Sequence, residues 1–256
     1  MKDRVSVNII SILAIAFVSV MLYRLLAPES QPPQINLPAI SPSETYRPGE
    51  EPAVVFIDQG EISYSSLLSI VSGLRVSWEY SRRYRITTYW PESSGEQRSS
   101  ERHFSVSARE GDCLIVEYTG ANSIRKNILL RGETVTRWDG DNYDSAYSHK
   151  APTGLSQGRL RDLYQCMYSI EDLLSIPAED MVYACFADLS GTPCIYAEFY
   201  AGEFRILNKL FIGTESGLVL SEERYDDGAL IYKTESISLS LTPPEDRAFS
   251  SFTVDG

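Results

Sequence analysis

A long run of alternating residues constrains the fold of this chain more than any other feature. Between residues 74 and 90, apolar side chains recur at every second position except at Arg82 and Thr88, and the positions between them are mostly polar. Successive side chains of a β-strand point to opposite faces, so this spacing predicts a strand with one buried face. Its apolar positions are Leu74, Val76, Trp78, Tyr80, Tyr84, Ile86 and Trp90. Because the run is long for a single strand, we expect a bend or bulge near Ser81 and Arg82.

Shorter segments extend this pattern to about ten strands. They are predicted over 102–108, 112–118, 124–131, 134–138, 143–147, 181–187, 193–200, 203–212, 217–225 and 229–241. Turn-forming residues separate them, and helical spacing of apolar residues predicts helices over 60–73 and 158–176. We therefore predict a mainly β (α+β) domain: a strongly curved antiparallel sheet or incomplete β-barrel with one or two helices on its concave face.

Residues 5–26 are predicted to anchor the chain in a membrane. Residues 5–23 carry no formal charge, and about 20 apolar residues are enough to span a bilayer. A cleaved signal peptide is the competing interpretation, but Pro28 directly after the candidate cleavage residue Ala27 disfavours processing. The basic tail at 1–4 would stay in the cytoplasm by the positive-inside rule. The sequence thus predicts a single-pass membrane protein of the bacterial cell envelope, with its C-terminal part outside the cytoplasm.

The next segment, 27–52, contains more than half of the 13 prolines. Proline prevents helices and central strands, so this segment is predicted to be an extended, extracytoplasmic linker. It leaves 53–256 as one domain. The formal net charge of -12 argues against nucleic acid as a partner, because phosphates require a basic surface.

Three segments resemble the LolA/LolB-like family, which includes lipoprotein carriers and the periplasmic sensor RseB. Residues 128–147 are similar to a strand, an Asp-Gly turn and an aromatic strand of that family. Residues 217–233 are similar to its closing hairpin, and residues 237–249 to its final strand and proline–phenylalanine tail. The resemblance covers about 60–250, and it implies an incomplete β-barrel around helices with an apolar cavity for acyl chains.

The resemblance implies binding, and no cofactor is predicted. A chain with a transmembrane anchor cannot carry lipoproteins across the periplasm as soluble carriers do. We therefore predict a module that binds or senses a lipid, an acyl chain or a lipoprotein near the membrane. The alternative is a protein-interaction or regulatory domain of an envelope complex with no small ligand, and a secreted enzyme is the third hypothesis.

Aromatic residues are the candidates for lining the cavity. One or two helices cannot fill a strongly curved sheet, which leaves room for an apolar pocket. The four candidates that share the face of the alternating run are Trp78, Tyr80, Tyr84 and Trp90. Trp138, Phe199 and Phe211 come from other predicted strands. For any one of these residues, a place in the ordinary core is the simpler interpretation.

Four cysteines invite a disulfide prediction, because the domain is expected outside the cytoplasm. Cys185 and Cys194 flank a turn at 188–191. A four-residue loop would place them directly opposite each other on neighbouring strands, within bonding distance. Cys113 and Cys166 would then pair with each other or pack as small apolar residues.

No motif for metal binding or catalysis is convincing. Asp139, Asp141 and Asp144 suggest a calcium loop, but Tyr143 occupies a position where a ligand is required, so a solvated hairpin turn is preferred. Neither histidine has an evident catalytic partner, and phosphate loops and nucleophile elbows are absent from the sequence. The pair Glu222-Glu223 is interpreted as ordinary strand-end charge.

Overall fold

The computed structural model of the chain describes residues 54–57, 60–91, 97–119, 124–245 and 249. In these ranges no helix has both the length and the apolar character needed to cross a bilayer. The predicted tail, anchor and linker lie outside the described residues and stay predictions.

Twelve antiparallel strands of the described ranges form one curved sheet. In chain order they are β1 (Val54–Phe56), β2 (Tyr80–Pro91), β3 (Gln97–Arg109), β4 (Asp112–Thr119), β5 (Ile124–Arg131), β6 (Thr134–Asp139), β7 (Tyr147–Lys150), β8 (Met181–Leu189), β9 (Thr192–Ala201), β10 (Ile206–Gly213), β11 (Val219–Asp226) and β12 (Ala229–Ser240). The spatial order is β1-β8-β9-β10-β11-β12-β2-β3-β4-β5-β6-β7. Two meanders, β2–β7 and β8–β12, are therefore joined where β12 pairs with β2. The predicted curved antiparallel sheet is confirmed, and it is not a closed barrel.

Within the described ranges, three short helices accompany the sheet: α1 (Tyr64–Gly73), α2 (Gln157–Tyr164) and α3 (Ile170–Leu174). Each begins after a serine whose side chain accepts a hydrogen bond from a backbone N–H of the first turn. The single helix predicted over 158–176 is wrong, because Cys166 adopts a positive φ of 61° and Ser169 starts a new helix with a capping box. The predicted strand at 143–147 is also wrong, since its first residues form a 3-10 turn before β7.

The main core lies on the face of the sheet that carries the helices, called here the inner face. Leu67 and Val71 of α1 and Leu173 of α3 are buried against β8–β11. Leu160 of α2 and Met167 after it pack against β2–β6. The buried strand residues of this core include Tyr80, Tyr84, Ile86, Phe104, Ile115, Ile195, Phe199, Leu210 and Ile212.

The opposite, outer face also buries apolar side chains, in two separate groups. Cys185, Cys194 and Tyr196 belong to a group on β8–β11. Trp138 belongs to a second group on β4–β6, which includes Phe249 near the C-terminus. Some strands are therefore apolar on both faces, so their sequences do not alternate as cleanly as β2 does.

The alternating run forms a strand only from Tyr80 onward. The preceding segment instead follows the β10–β11 turn, and Ser77 N donates to the Ser216 carbonyl at 2.8 Å. The predicted bulge near Ser81 and Arg82 is wrong, because the β2–β3 register is continuous from residue 80 to residue 91. The irregularity lies on the partner strand β12, between Ser236 and Ser238.

Gly217 marks the closest backbone approach at this turn. Its φ is +63°, and a Cβ there would lie 2.9 Å from the Arg75 carbonyl oxygen and 2.9 Å from the Val76 Cα. We expect Gly217→Ala to lower the free energy of unfolding by about 1–3 kcal/mol in denaturant titrations, because it adds a backbone clash to the cost of a left-handed conformation. Gly132→Ala is the control, since Gly132 has a φ of +55° but open space around it. Equal losses for the two variants would show that this approach is not tight.

Candidate ligand-binding site

Trp78 lies in the segment that leads into β2, and 46% of its surface is exposed. The buried Arg161 of α2 holds it in place. The guanidinium carbon lies 4.9 Å from the indole centroid, and Nη1 donates to the Trp78 carbonyl at 3.0 Å. Its Nη2 donates to the Arg109 carbonyl at 2.6 Å, which ties α2 to the end of β3. A cation–π contact and two charge-assisted hydrogen bonds therefore fix an indole that remains open to solvent.

The indole lines an open cleft of about 880 Å³, called here the Trp78 cleft. Its lining consists of Ser77, Trp78, Glu79, Glu110, Gly111, Gln157 and Leu241. Trp78 and Leu241 supply the apolar surface, while Glu79 and Glu110 are exposed carboxylates. These two carboxylates would repel an anionic group bound in the cleft. The cleft therefore suits an amphiphile whose polar part is not anionic.

A smaller cavity of about 10 Å³ adjoins the indole and is lined in part by Tyr80, Arg161 and Asp162. This volume is close to what one water molecule needs. Burial raises the pKa of the Asp162 carboxyl to about 7, although the nearby Arg82 guanidinium lowers it. The charge of Asp162 therefore changes near neutral pH, directly beside the Trp78 cleft.

A second group of polar side chains lies beyond the other end of α2 and is called here the arginine–tyrosine cluster: Arg102, Cys166, Tyr168, Arg224 and Tyr232. Tyr232 Oη donates to the Cys166 carbonyl. The Arg224 guanidinium carbon lies 4.3 Å from the Tyr232 ring centroid and 5.1 Å from that of Tyr168. Burial raises the pKa of the Cys166 thiol, against the lowering effect of Arg102 and Arg224 nearby. The left-handed backbone at Cys166 thus brings strand and loop residues into one group.

Buried Glu222 forms hydrogen bonds with two members of this cluster. Its side chain is fully buried, and it accepts hydrogen bonds from the Tyr168 backbone N–H at 3.0 Å and from Arg224 Nε. The interpretation of Glu222 as ordinary strand-end charge is therefore wrong. A signal for this pair does exist in the sequence, because Glu222 and Arg224 have opposite charges two residues apart on one face of a strand.

The seven aromatic candidates do not share one cavity, so that prediction is wrong in its geometry. Three belong to the inner-face core: Tyr80, Tyr84 and Phe199. Two are buried on the outer face: Trp138 and Phe211. Only Trp78 and Trp90 are exposed, with 46% and 42% of their surface open. The seven side chains lie apart because their strands direct them to different faces of the sheet. Phe211, for example, pairs with Tyr196, whose side chain is on the outer face.

The prediction that Cys185 and Cys194 face each other directly is also wrong. The β8–β9 turn has two residues, Ser190 and Gly191, both with positive φ, instead of the four expected. This shorter turn pairs Cys185 with Tyr196 and shifts Cys194 by two residues along its strand. The cysteines share a face only diagonally, at about 7–8 Å between Cα atoms, which exceeds the usual disulfide span. All four cysteines are free thiols.

The aspartates considered for calcium lie around an exposed turn. Asp141 pairs with Arg125 at 2.6 Å, and Asp144 N donates to the Asn142 side chain at 3.1 Å. In the part of the chain that the structure describes, no three histidine, cysteine or acidic side chains are grouped to hold a metal ion.

No protein-family model matches the sequence, and no curated protein matches it either. Among solved structures the chain is similar to MucB, with 14% identity over 72% of this chain and a TM-score of 0.42. It spans 61% of the MucB chain, which is less than two thirds of it.

Two further structures are similar to this chain. A LolA superfamily protein from Nitrosomonas europaea shows 9% identity, covering 73% of this chain and 97% of its own, with a TM-score of 0.33. A DUF1329 family protein from Desulfovibrio piger shows 10% identity, covering 72% of this chain and 92% of its own, with a TM-score of 0.28. A protein of the superfamily that the sequence resembles is thus among these structures, and the likeness concerns the fold.

Proposed function

We propose that this chain is a membrane-anchored, extracytoplasmic binding module that takes an acyl chain of a lipid or lipoprotein in the Trp78 cleft. The observation that carries the proposal is the half-exposed indole of Trp78, held by Arg161 against an open volume of about 880 Å³. An exposed indole that is already ordered gains apolar burial on binding without a large ordering cost. The anchor at 5–26 would keep the cleft near the membrane that supplies the ligand.

The charge of the cleft narrows the ligand class. Exposed Glu79 and Glu110 disfavour a free fatty acid or an anionic lipid headgroup placed beside them. A neutral head, such as the acylated N-terminus of a lipoprotein, avoids this repulsion. The acyl chain would contact Trp78 and Leu241, and the peptide part would extend into solvent.

Replacing Trp78 by alanine is expected to weaken capture of a dipalmitoylated lipopeptide about tenfold, because the variant loses the apolar surface of the indole. The full chain in phosphatidylcholine nanodiscs is irradiated with a diazirine-bearing lipopeptide, and crosslinked peptides are quantified by mass spectrometry. Trp90→Ala is the matched control, since Trp90 is exposed to a similar extent but does not line the cleft. Equal crosslinking in both variants, or none near residues 77–79, would contradict the proposal.

A second candidate function is protein interaction, favoured by one observation at the edge of the sheet. Val54, Val55 and Phe56 of edge strand β1 are exposed, as are Val182 and Tyr183 of its neighbour β8. Clustered apolar residues at a sheet edge are typical of association surfaces. Absence of lipopeptide capture by the unsubstituted chain, together with crosslinking to a protein partner that Phe56→Asp abolishes, would favour this second function.

A further inference from the structure

The arginine–tyrosine cluster shares no residue with the Trp78 cleft. Gln157 of the cleft is the first residue of α2, whereas Cys166 lies two residues beyond the last residue of that helix. An eight-residue helix is about 12 Å long, so the two sites lie at opposite ends of α2. A ligand group bound at the cluster would therefore not occupy the Trp78 cleft.

Several basic residues lie on the inner face of β3, β5, β6 and β11, although the chain as a whole has a formal net charge of -12. The pairing of β11 with β12, and of β2 with β3 and its neighbours, places several basic residues on the inner face here. These basic residues are Arg98, Arg102, Lys126, Arg137 and Arg224. Glu117 lies 3.5 Å from Arg102, and Asp139 is opposite Lys126. Arg224 is likewise paired with Glu222, so these five basic residues stand against three acidic ones, and this excess favours an anionic group.

The side chain of Arg224 is held in one orientation. Its Nε donates to buried Glu222, and its guanidinium lies over the rings of Tyr232 and Tyr168. Its hydrogen bonds within the described ranges are made by Nε alone, which leaves both terminal nitrogens available as donors. Two parallel N–H groups at the end of a guanidinium match the two oxygens of a carboxylate.

Arg102 approaches the same space from β3. The Cys166 thiol is close enough to both Arg102 and Arg224 that each lowers its pKa, against the larger opposing effect of burial. Arg102 is in hydrogen-bonding contact with the Cys166 thiol, lies over the Phe104 ring at 5.5 Å from its centroid, and makes a long ion pair with Glu117, 3.5 Å between Nη1 and Oε1. Two guanidiniums thus flank the loop that carries the partly buried thiol.

We propose that the arginine–tyrosine cluster is a binding site for a carboxylate group, held end-on by Arg224 and completed by Arg102. Glu222 is a positioning residue, because it fixes Arg224 and does not face the ligand. The ligand class is a carboxylate-bearing molecule, such as a peptide C-terminus or an organic acid. This inference goes beyond the proposed function and does not depend on it.

The alkylation rate of the Cys166 thiol can report on carboxylate binding at this site. The other three cysteines, Cys113, Cys185 and Cys194, are buried. Iodoacetate carries a carboxylate and iodoacetamide does not, yet both react with a thiolate in the same way: the S–C bond forms, the C–I bond breaks, iodide leaves and the thiol proton passes to solvent. The ratio of the two rates therefore cancels the thiolate fraction and reports attraction for the carboxylate.

The experiment measures both rates at Cys166 by peptide mass spectrometry, with the full chain in phosphatidylcholine nanodiscs. We expect the iodoacetate to iodoacetamide rate ratio to exceed that of the urea-unfolded chain about tenfold, as one charge-assisted hydrogen-bond pair allows. Benzoate is expected to slow the iodoacetate reaction, while benzamide leaves it unchanged. A ratio equal to that of the unfolded chain would overturn the proposal.

Two variants test which side chains cause the enhanced rate ratio. Arg102→Gln, and the double variant Glu222→Gln/Arg224→Gln that leaves no buried carboxylate unpaired, are expected to abolish the enhanced ratio. Arg83→Gln is the control, because Arg83 is an exposed arginine on the outer face and its loss changes the net charge as much as Arg102→Gln does, whereas the double variant leaves the net charge unchanged. An enhanced ratio that survives in the first two variants, or falls equally in the control, would overturn the assignment to this cluster. Protection by inorganic phosphate equal to that by benzoate would overturn the choice of carboxylate.

Discussion

Replacing Arg224 by methionine is expected to lower the free energy of unfolding by about 3 kcal/mol at pH 8. Glu222 is fully buried, and within the described ranges it accepts hydrogen bonds from the Tyr168 N–H and from Arg224 Nε. Removing the arginine leaves a buried carboxylate with one hydrogen bond and no counter-charge, and breaking such a pair typically costs about 3–5 kcal/mol. The lower value is expected here because Arg224 itself is about one third exposed.

The size of this loss should depend on pH. Burial already raises the pKa of Glu222, and Arg224 is the main group that lowers it. Without Arg224 the pKa of folded Glu222 rises further above its unfolded value, so the folded state favours the protonated carboxyl. A raised pKa stabilises the fold at low pH, and that contribution is lost as pH rises through the folded pKa. The deficit of Arg224→Met should therefore be smaller at pH 5 than at pH 8.

Denaturant titrations at the two pH values measure this effect. The double variant Glu222→Gln/Arg224→Met should regain much of the lost stability, because a neutral amide is far less costly to bury than an unpaired charge. Arg83→Met is the control for loss of an exposed arginine on the outer face. A deficit that is the same at pH 5 and pH 8, or no larger than that of the control, would show that the pair is not buried as described.

Much of the sheet can be predicted from the sequence because its signals are local. The predicted strand at 124–131 coincides with β5, and that at 112–118 with all but the last residue of β4. Alternation and glycine-containing turns define both. The edge strands β1 and β7 are different. They are only three and four residues long, and they form by pairing with β8 and β6, so a short segment in isolation carries little signal for them.

Side-chain positions are harder to predict because the backbone conformation of a single residue in a turn or at a helix end decides which side chains come together. Ser190 takes a positive φ of 52° without being glycine, and the resulting two-residue turn changes which residue faces Cys194. Cys166, two residues after α2, adopts a left-handed conformation, although nothing in the spacing of apolar residues around it marks a break. The candidate sites depend on such local details. Trp78, for example, lies two residues before the start of β2, and its indole is exposed.

Replacing Phe199 by alanine is expected to lower the free energy of unfolding by about 3–5 kcal/mol, the usual cost for a phenylalanine in a packed core. Phe199 has no exposed surface. Its ring meets that of Tyr168 edge-on at 5.4 Å, so it links the inner face of the sheet to the loop between α2 and α3. The variant loses both the buried apolar area and this aromatic contact.

Phe204→Ala is the matched control, because Phe204 is 85% exposed in the turn that follows the same strand. It should change the free energy of unfolding by less than about 0.5 kcal/mol. The comparison also bears on where an acyl chain can bind. A large loss for Phe199→Ala means that the inner face near β9 is filled by its own side chains, so an acyl chain would not bind there. A loss as small as that of the control would mean that the ring lies in a loosely packed interior, and Phe199 would again be a candidate for contacting an acyl chain.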